Sequence, residues 1–365
     1  MTKAFEERET RATISMDSLE RLDQMFYSGG ILVNVEAFAL QGLFRAAGQA
    51  GRSPTSPYQV RVSFPAELWH FYSDLSSNPL KDFDNSVVLH WDNSELLHVA
   101  ATRFMKFLQI HEPIEFRGLK PTSAPWAQSL LQRYLPAEIT NGLETVERTL
   151  PYLLRHTQLL PRHFIHLLNR VFSDYEFGAG HPTEQHIRES VADGEVAIVE
   201  AIIDGFRIPY PNLSELCTSL IPQLPHTFSE GDLHTAVNRA NRYGLDYREI
   251  TQMLVEVGAV GRMTERTRTY VKAEFEYLYP HRMFVTPEDT LCLHPLFSAR
   301  FDSLGRHRPL QSGVLPIYPL GSSDSNEFSR EISLSGGADQ DSSHPDALDA
   351  YDPRRDISLH DRKWS

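Results

Sequence analysis

The sequence predicts a mixed, mainly α-helical fold: a small α/β segment, a bundle of helices, a helix leading into β runs, and an acidic tail. Three observations carry that expectation. Short β-like alternation appears near Ala12–Met16 and Tyr58–Phe64, whereas apolar residues recur at helix spacing through most of 94–254. The chain has 365 residues, 41% hydrophobic and 23% charged, enough to bury a real core and long enough for two or three domains. From Ser303 onward periodicity is lost, and 321–365 is dominated by Ser, Asp, Gly and Pro, with 10 acids against 5 bases.

Taken in order, ATISM at Ala12–Met16 reads as a strand and Ile31–Gly48 as a helix. The turn formers of Gly51–Pro57 separate that helix from the alternating YQVRVSF at Tyr58–Phe64. VVLHW at Val87–Trp91 reads as a further strand, and Asp92 or Asn93 would cap a helix over Ser94–Leu108. Strands separated by helices imply a parallel sheet with crossover connections, and so few strands make it an incomplete one. Further helices are expected over Ala124–Tyr134, Gly142–Arg155, Arg162–Ser173, Thr183–Phe206, Asn212–Leu220 and Ser229–Tyr243. Ser229 would cap the last of these, with Asp232 in its first turn. Tyr247–Val257 is a short amphipathic helix ended by Gly258 and Gly261, and Thr269–Leu278 and Thr290–His294 alternate as strands. A helix leading into a two-stranded wing is the outline of a winged-helix domain. The expected divisions are 1–110 (partial α/β core), 111–228 (helical), 229–302 (winged-helix-like) and 303–365 (disordered tail).

Composition excludes several classes. The formal charge of −13 argues against a global grip on nucleic-acid phosphates, leaving only a local basic face. Two cysteines, Cys217 and Cys292, cannot build a disulfide scaffold or a four-Cys zinc site and suit a reducing cytoplasm. MTKAFEERETR lacks the apolar run of a signal peptide, and no run of 18 apolar residues offers a membrane span. A cytoplasmic protein without membrane contact is expected. There is no G-x-S-x-G elbow for a hydrolase. His163 and His166 share a helix face, with His156 before them, but nearby carboxylates or thiols that would complete a metal site are lacking.

A resemblance enters through the order of parts. TISMDSLE at Thr13–Glu20 is an apolar strand ending in an acid, followed by YQVRVSFPAEL, VVLHWDNSELLHVAATRF, YLLRHTQLLPRHFIHLLNRVF and finally LVEVGAVGR and FEYLYPHRMFVTPEDTLCLHPLF. In that order these resemble the Walker B strand, sensor strand, closing strand and helix, helical lid and winged helix of a bacterial P-loop ATPase of the AAA+/STAND type. The resemblance implies that Asp17 holds the magnesium shell of ATP through a bound water, with Glu20 or Ser18 near the attacking water. It implies phosphate-sensing roles for Arg162, Arg155 and, more weakly, Arg103. Read without it, Asp17 caps a helix beginning at Leu19, and the arginines cap helix ends or pair with acids such as Glu147.

The Walker A string GxxxxGK[ST], whose backbone amides and Lys cradle the phosphates, is absent, and GQAGRS at Gly48–Ser53 lacks the Lys. The chain therefore looks like the C-terminal portion of such an ATPase. The ATP–Mg site would be incomplete unless a P-loop-bearing partner or an upstream segment supplied the phosphate loop, so autonomous hydrolysis is not expected; a P-loop-bearing partner or a homo-oligomer is the assembly expected. The function implied is regulatory or assembly-related. The alternative is a non-enzymatic winged-helix module that binds DNA or protein. Its basic run GRMTERTRTYVK offers Arg262, Arg266, Arg268 and Lys272 to phosphates, with Glu265, Glu274 and Glu276 interleaved.

Overall fold

The computed structural model describes residues 12–16, 42–43, 45–47, 58–63, 89, 91–117, 119, 126–173, 180–207, 210–240, 244, 246–278, 283, 285–301 and 314–319. They form a mixed, mainly helical protein with small sheets. No helix among them is long and apolar enough to cross a membrane. They gather into two compact units. A sheet-bearing unit takes the described residues of Met1–Trp91, Arg155–Gln158 and Ala192–Ser322; a helical unit takes those of Asp92–Leu154 and Leu159–Val191.

Strands β1 (Ala12–Met16) and β2 (Tyr58–Val62) pair in parallel, from Ala12 opposite Tyr58 to Met16 opposite Val62. Parallel neighbours need a long crossover, as the sequence pattern implies. Residues 42–43 and 45–47 are helical, inside the helix expected over 31–48. Of the strand expected at Val87–Trp91, only Leu89 and Trp91 are described, and neither is in a strand.

The helical unit opens with α1 (Asn93–His111). Asp92 starts it with a capping box: its carboxylate accepts from Glu95 N–H at 2.7 Å, and Glu95 Oε2 accepts from Asp92 N–H at 3.1 Å. Leu96, Leu97, Ala100, Ala101 and Leu108 form its inward face. Pro113, which cannot donate to the preceding turn, begins the short α2 (Pro113–Arg117). Helix α3 (Trp126–Gln132) follows, and Phe104 of α1 meets Tyr134 edge-on at 5.1 Å.

Where a helix is expected over Gly142–Arg155, the chain instead makes a hairpin of β3 (Glu138–Thr140) and β4 (Val146–Arg148) before α4 (Thr149–Arg155). Asn141 is the reason. Its Oδ1 accepts from Leu143 N–H at 2.8 Å and from Thr145 N–H and Oγ1–H at 3.0 Å, while its Nδ2 donates to buried Glu147 at 2.7 Å. Side-chain bonding of this kind offers the backbone a turn in place of a helix. Helix α5 (Pro161–Phe172) has Pro in its first turn and buries His163, Phe164, Leu167, Leu168 and Val171 along one stripe. Helix α6 (Glu184–Gly205) is divided at Val191 between the two units. Its first turn latches the hairpin, since Glu184 accepts from Thr140 N–H at 2.9 Å and Arg188 donates to Thr140 O at 2.6 Å.

The sheet-bearing unit continues with α7 (Leu213–Leu220), β5 (Thr227–Ser229), α8 (Glu230–Ala240), α9 (Tyr247–Glu256), β6 (Val260–Arg266), β7 (Val271–Glu274), β8 (Thr290–Leu293), α10 (Pro295–Phe301) and β9 (Ile317–Pro319). Its five-stranded sheet runs in the order β5-β8-β6-β7-β9, antiparallel except for the β7–β9 pair. Ser229 and Asp232 cap α8 reciprocally, Asp232 N–H donating to Ser229 Oγ at 3.2 Å and Ser229 N–H to Asp232 Oδ2 at 2.9 Å. Helix α9 ends in a Schellman turn at Gly258, whose φ of +74° suits glycine, with Ala259 N–H bonded to Leu254 O at 2.9 Å.

Three expectations change here. The charged run RMTER is strand β6, held by ladders on both sides that override its weak intrinsic preference. Thr269–Leu278 is not one strand but β7 followed by a 3-10 turn at Glu276–Leu278. The stretch 303–365, expected to lack structure, contains β9, whose apolar Ile317 and Tyr318 are buried beside β7. The rest of 303–365 lies outside the described residues.

Candidate functional site

Asp17 and Glu20 lie outside the described residues; the strand that precedes them, Ala12–Met16, is formed. Of the phosphate-sensing candidates, Arg103 is exposed on α1 and Arg162 is exposed in the first turn of α5, both in the helical unit. Arg155, at the end of α4, belongs to the sheet-bearing unit; it is buried, its guanidinium 5.9 Å from the Tyr318 ring of β9. Arg155 is therefore held by an aromatic face, a favourable seat for a planar cation. Arg61, in the sensor-like strand, is exposed.

The sheet-bearing unit holds a buried polar cluster beside Arg155. His156 Nδ1 meets Glu195 of α6, and both side chains are buried. Burial, then the Arg155 cation, then His294 hold His156 well below its ordinary value. The ring is thus neutral, and the contact is a hydrogen bond from Nδ1–H to the carboxylate rather than a salt bridge. Gln158 donates to Val257 O at 2.8 Å, tying 155–158 to the end of α9. A Cβ at Gly258 would lie 2.7 Å from both Gln158 Nε2 and Tyr277 Cδ1, so glycine permits this approach.

His294, after β8, is fully buried and fixed at three points. Its N–H donates to Ala259 O at 2.9 Å, and its Nδ1 accepts from Leu296 N–H at 3.1 Å. Nε2 therefore carries the ring hydrogen and donates to the Tyr277 oxygen at 2.7 Å. Phe275 meets the ring edge-on at 4.7 Å. Burial, with Cys292 second, pushes the Tyr277 phenol well above its usual value. Burial also raises the Cys217 thiol to about 12 and pushes Cys292 up. Neither thiol is a nucleophile in that state. No group of three or more His, Cys, Asp or Glu among the described residues could hold a metal ion. Neutral rings, protonated thiols and the hydrogen bonds of His156, Gln158 and His294 make this cluster a structural node.

The four cations proposed for phosphate contact lie on the β6–β7 hairpin, and the hairpin divides them. Arg262 pairs with Glu274 at 2.7 Å and Lys272 with Glu265 at 2.8 Å, each across the ladder. Lys272 also sits 5.7 Å from the Tyr270 ring. Arg266 and Arg268 are exposed at the hairpin turn. Thr267 builds that turn, its Oγ1 accepting from Tyr270 N–H at 3.0 Å.

Several residues of the node escape a reading of the sequence. Glu195 had a signal: Val191, Glu195, Ile198 and Ile202 share one buried helical face, an acid set in an apolar stripe. His294 and Tyr277 had none, because they meet between a turn after β7 and the end of β8 rather than along a helix. No family model, no curated protein and no solved structure matches this chain.

Proposed function

We propose that the chain is a regulatory or assembly protein of P-loop ATPase descent, acting by protein contact and not hydrolysing ATP alone. The observation that carries the reading is connectivity: α7–β5–α8–α9–β6–β7–β8, with β8 lying between β5 and β6 and β7 on the other side of β6. Helices and strands in that order support a winged-helix reading of the sheet-bearing unit. The parallel β1–β2 pair supports the pairing of a Walker B strand with a sensor strand. The run of helices α1 to α6 supports a lid. In this reading ATP and Mg are gripped jointly with a partner that supplies the P-loop, in the cytoplasm. Asp17 would hold the metal through water, Glu20 would serve the attacking water, and Arg162, exposed at the start of α5, would sense phosphate.

Charge pairing on the hairpin favours protein over DNA as the contact of the winged unit. Two of its four cations already have carboxylate partners, so a phosphate would have to displace them. The exposed Arg266 and Arg268 favour the second reading, a DNA-binding module. One set of measurements on the purified chain separates these. Phosphate release from ATP should be absent for the chain alone, and a labelled DNA duplex at low salt should not bind. ATP turnover by the chain alone overturns the first reading. DNA binding whose salt slope drops by about two in Arg266→Glu/Arg268→Glu replaces it with the second.

A further inference from the structure

Among the described residues, the large apolar side chains left exposed are Leu89, Phe107, Ile110, Ile114 and Val146. Three of these fall in one short stretch of the helical unit. Phe107 and Ile110 are three apart on α1 and share a face; Ile114 follows four residues later in α2. Their exposures are 42%, 63% and 83%. The inward stripe of α1 ends at Leu108, and α2 buries none of its residues. Solvent thus meets an apolar strip where a helix in a finished assembly normally finds a neighbour.

The strip is preformed. Phe107 stacks on Phe104 at 6.4 Å and lies 4.8 Å from the His111 ring. Phe104 is itself anchored against Phe172 at 4.9 Å. A ring already held on two sides loses little freedom when covered. The rim has one sign. Between 102 and 117 the exposed ionisable residues are Arg103, Lys106, His111 and Arg117, whereas Glu112 and Glu115 are half-buried. Glu115 is engaged besides, accepting from the Tyr134 hydroxyl at 3.4 Å. A cationic rim on a chain of net charge −13 runs against the whole molecule's sign.

We propose that this face of α1 and α2 docks an acidic amphipathic helix of a partner protein. Its apolar stripe covers Phe107, Ile110 and Ile114, and its carboxylates meet Arg103 and Lys106. Charge selects this occupant. A second copy of the same face would bring like charges together, and a nucleic acid would leave the apolar strip uncovered. The face stands whatever the descent of the chain, so failure of the nucleotide reading leaves it intact.

The test uses the full chain and two synthetic fluorescent helices, one with Leu at i, i+3, i+4 and i+7 and Glu elsewhere, the other with Lys in place of Glu. The Glu helix should bind at least about tenfold tighter than the Lys helix, and more weakly as salt rises. Ile110→Asp and, separately, Lys106→Glu should each weaken it about tenfold, with far-ultraviolet circular dichroism unchanged because both side chains are exposed. Equal binding of the two helices, or no effect of Ile110→Asp, overturns the proposal. So does a wild-type dimer in sedimentation that Ile110→Asp dissociates, which would assign the face to a second copy. Binding that appears only when 321–365 is removed would assign it to the chain's own acidic segment and equally overturn the proposal.

Discussion

His163 lies on the inward stripe of α5 and is only 3% exposed. Burial, then Arg162, then His166 one turn on bring it down to about 3 from an ordinary value of 6.5. The folded protein therefore keeps the ring neutral through a window in which the unfolded chain takes up a proton. Where the unfolded state binds more protons, stability rises with pH. The contribution is complete above pH 6.5 and is lost as pH falls toward 3. The limiting slope is about 1.4 kcal/mol per pH unit for one such proton. Buried His156 acts with the same sign. Thermal unfolding should show a midpoint that is level near neutrality and falls below pH 6.5, with a shallower fall in His163→Gln. Parallel profiles for the two proteins would mean that the folded state accepts the proton. At this scale the sequence was partly legible. Cys292 stands in the apolar run TLCLH and Cys217 among leucines, a setting that points to burial, and both are buried. The bond between Tyr277 and His294 was not legible, since it joins residues 17 apart through sheet geometry that no local pattern encodes.

Among the elements, α1 was the most legible, because its signals are local and agree: Asp92 before the helix, Glu95 three positions on, and apolar residues at helical spacing. Asp92→Ala removes the acceptor for Glu95 N–H and the box that returns to Asp92 N–H. The loss should be about 1 kcal/mol of stability, read as a lower denaturant midpoint; Asp92→Asn, which keeps an acceptor, should recover most of it. An Ala variant as stable as the parent would show that packing alone holds the first turn. The elements that escaped the sequence reading are those whose cause is not local. The β3–β4 hairpin hides in an apolar-rich stretch with helical spacing until Asn141 is seen to take three hydrogen bonds onto one oxygen. Strand β6 is masked by its charges. Only the ladders to β7 and β8 make VGRMTER a strand, and its ion pairs lie on the ladder to β7.

On the scale of the whole molecule, the sheet-bearing unit gathers Arg155–Gln158 with Ala192–Ser322, a grouping that composition cannot announce because it arises from contacts between distant stretches. Strand β9 is the sharpest case. VLPIYP sits within a Ser- and Pro-rich region with no period, yet Ile317 and Tyr318 are buried and Val271 N–H bonds to Pro316 O at 2.9 Å. It closes the sheet in two ways. It covers the outer edge of β7, and it places Pro319, which lacks an N–H donor, at the new edge. An edge with missing donors is a poor template for another strand. Tyr318 adds the ring that faces Arg155 at 5.9 Å and meets Tyr270 at 6.0 Å, so β9 also anchors the polar node. A chain ending at Gly313 should therefore lose both the cover and the anchor. Burial of two large side chains is worth about 3 kcal/mol or more, which corresponds to a drop of about 5 °C or more in unfolding midpoint, accompanied by aggregation through the bared β7 edge. A chain ending at Gly321 keeps β9 and should match the full-length protein in both respects. If the Gly313 chain stayed monomeric and equally stable in light scattering and thermal melts, β9 would be a passenger on the sheet rather than its closing strand.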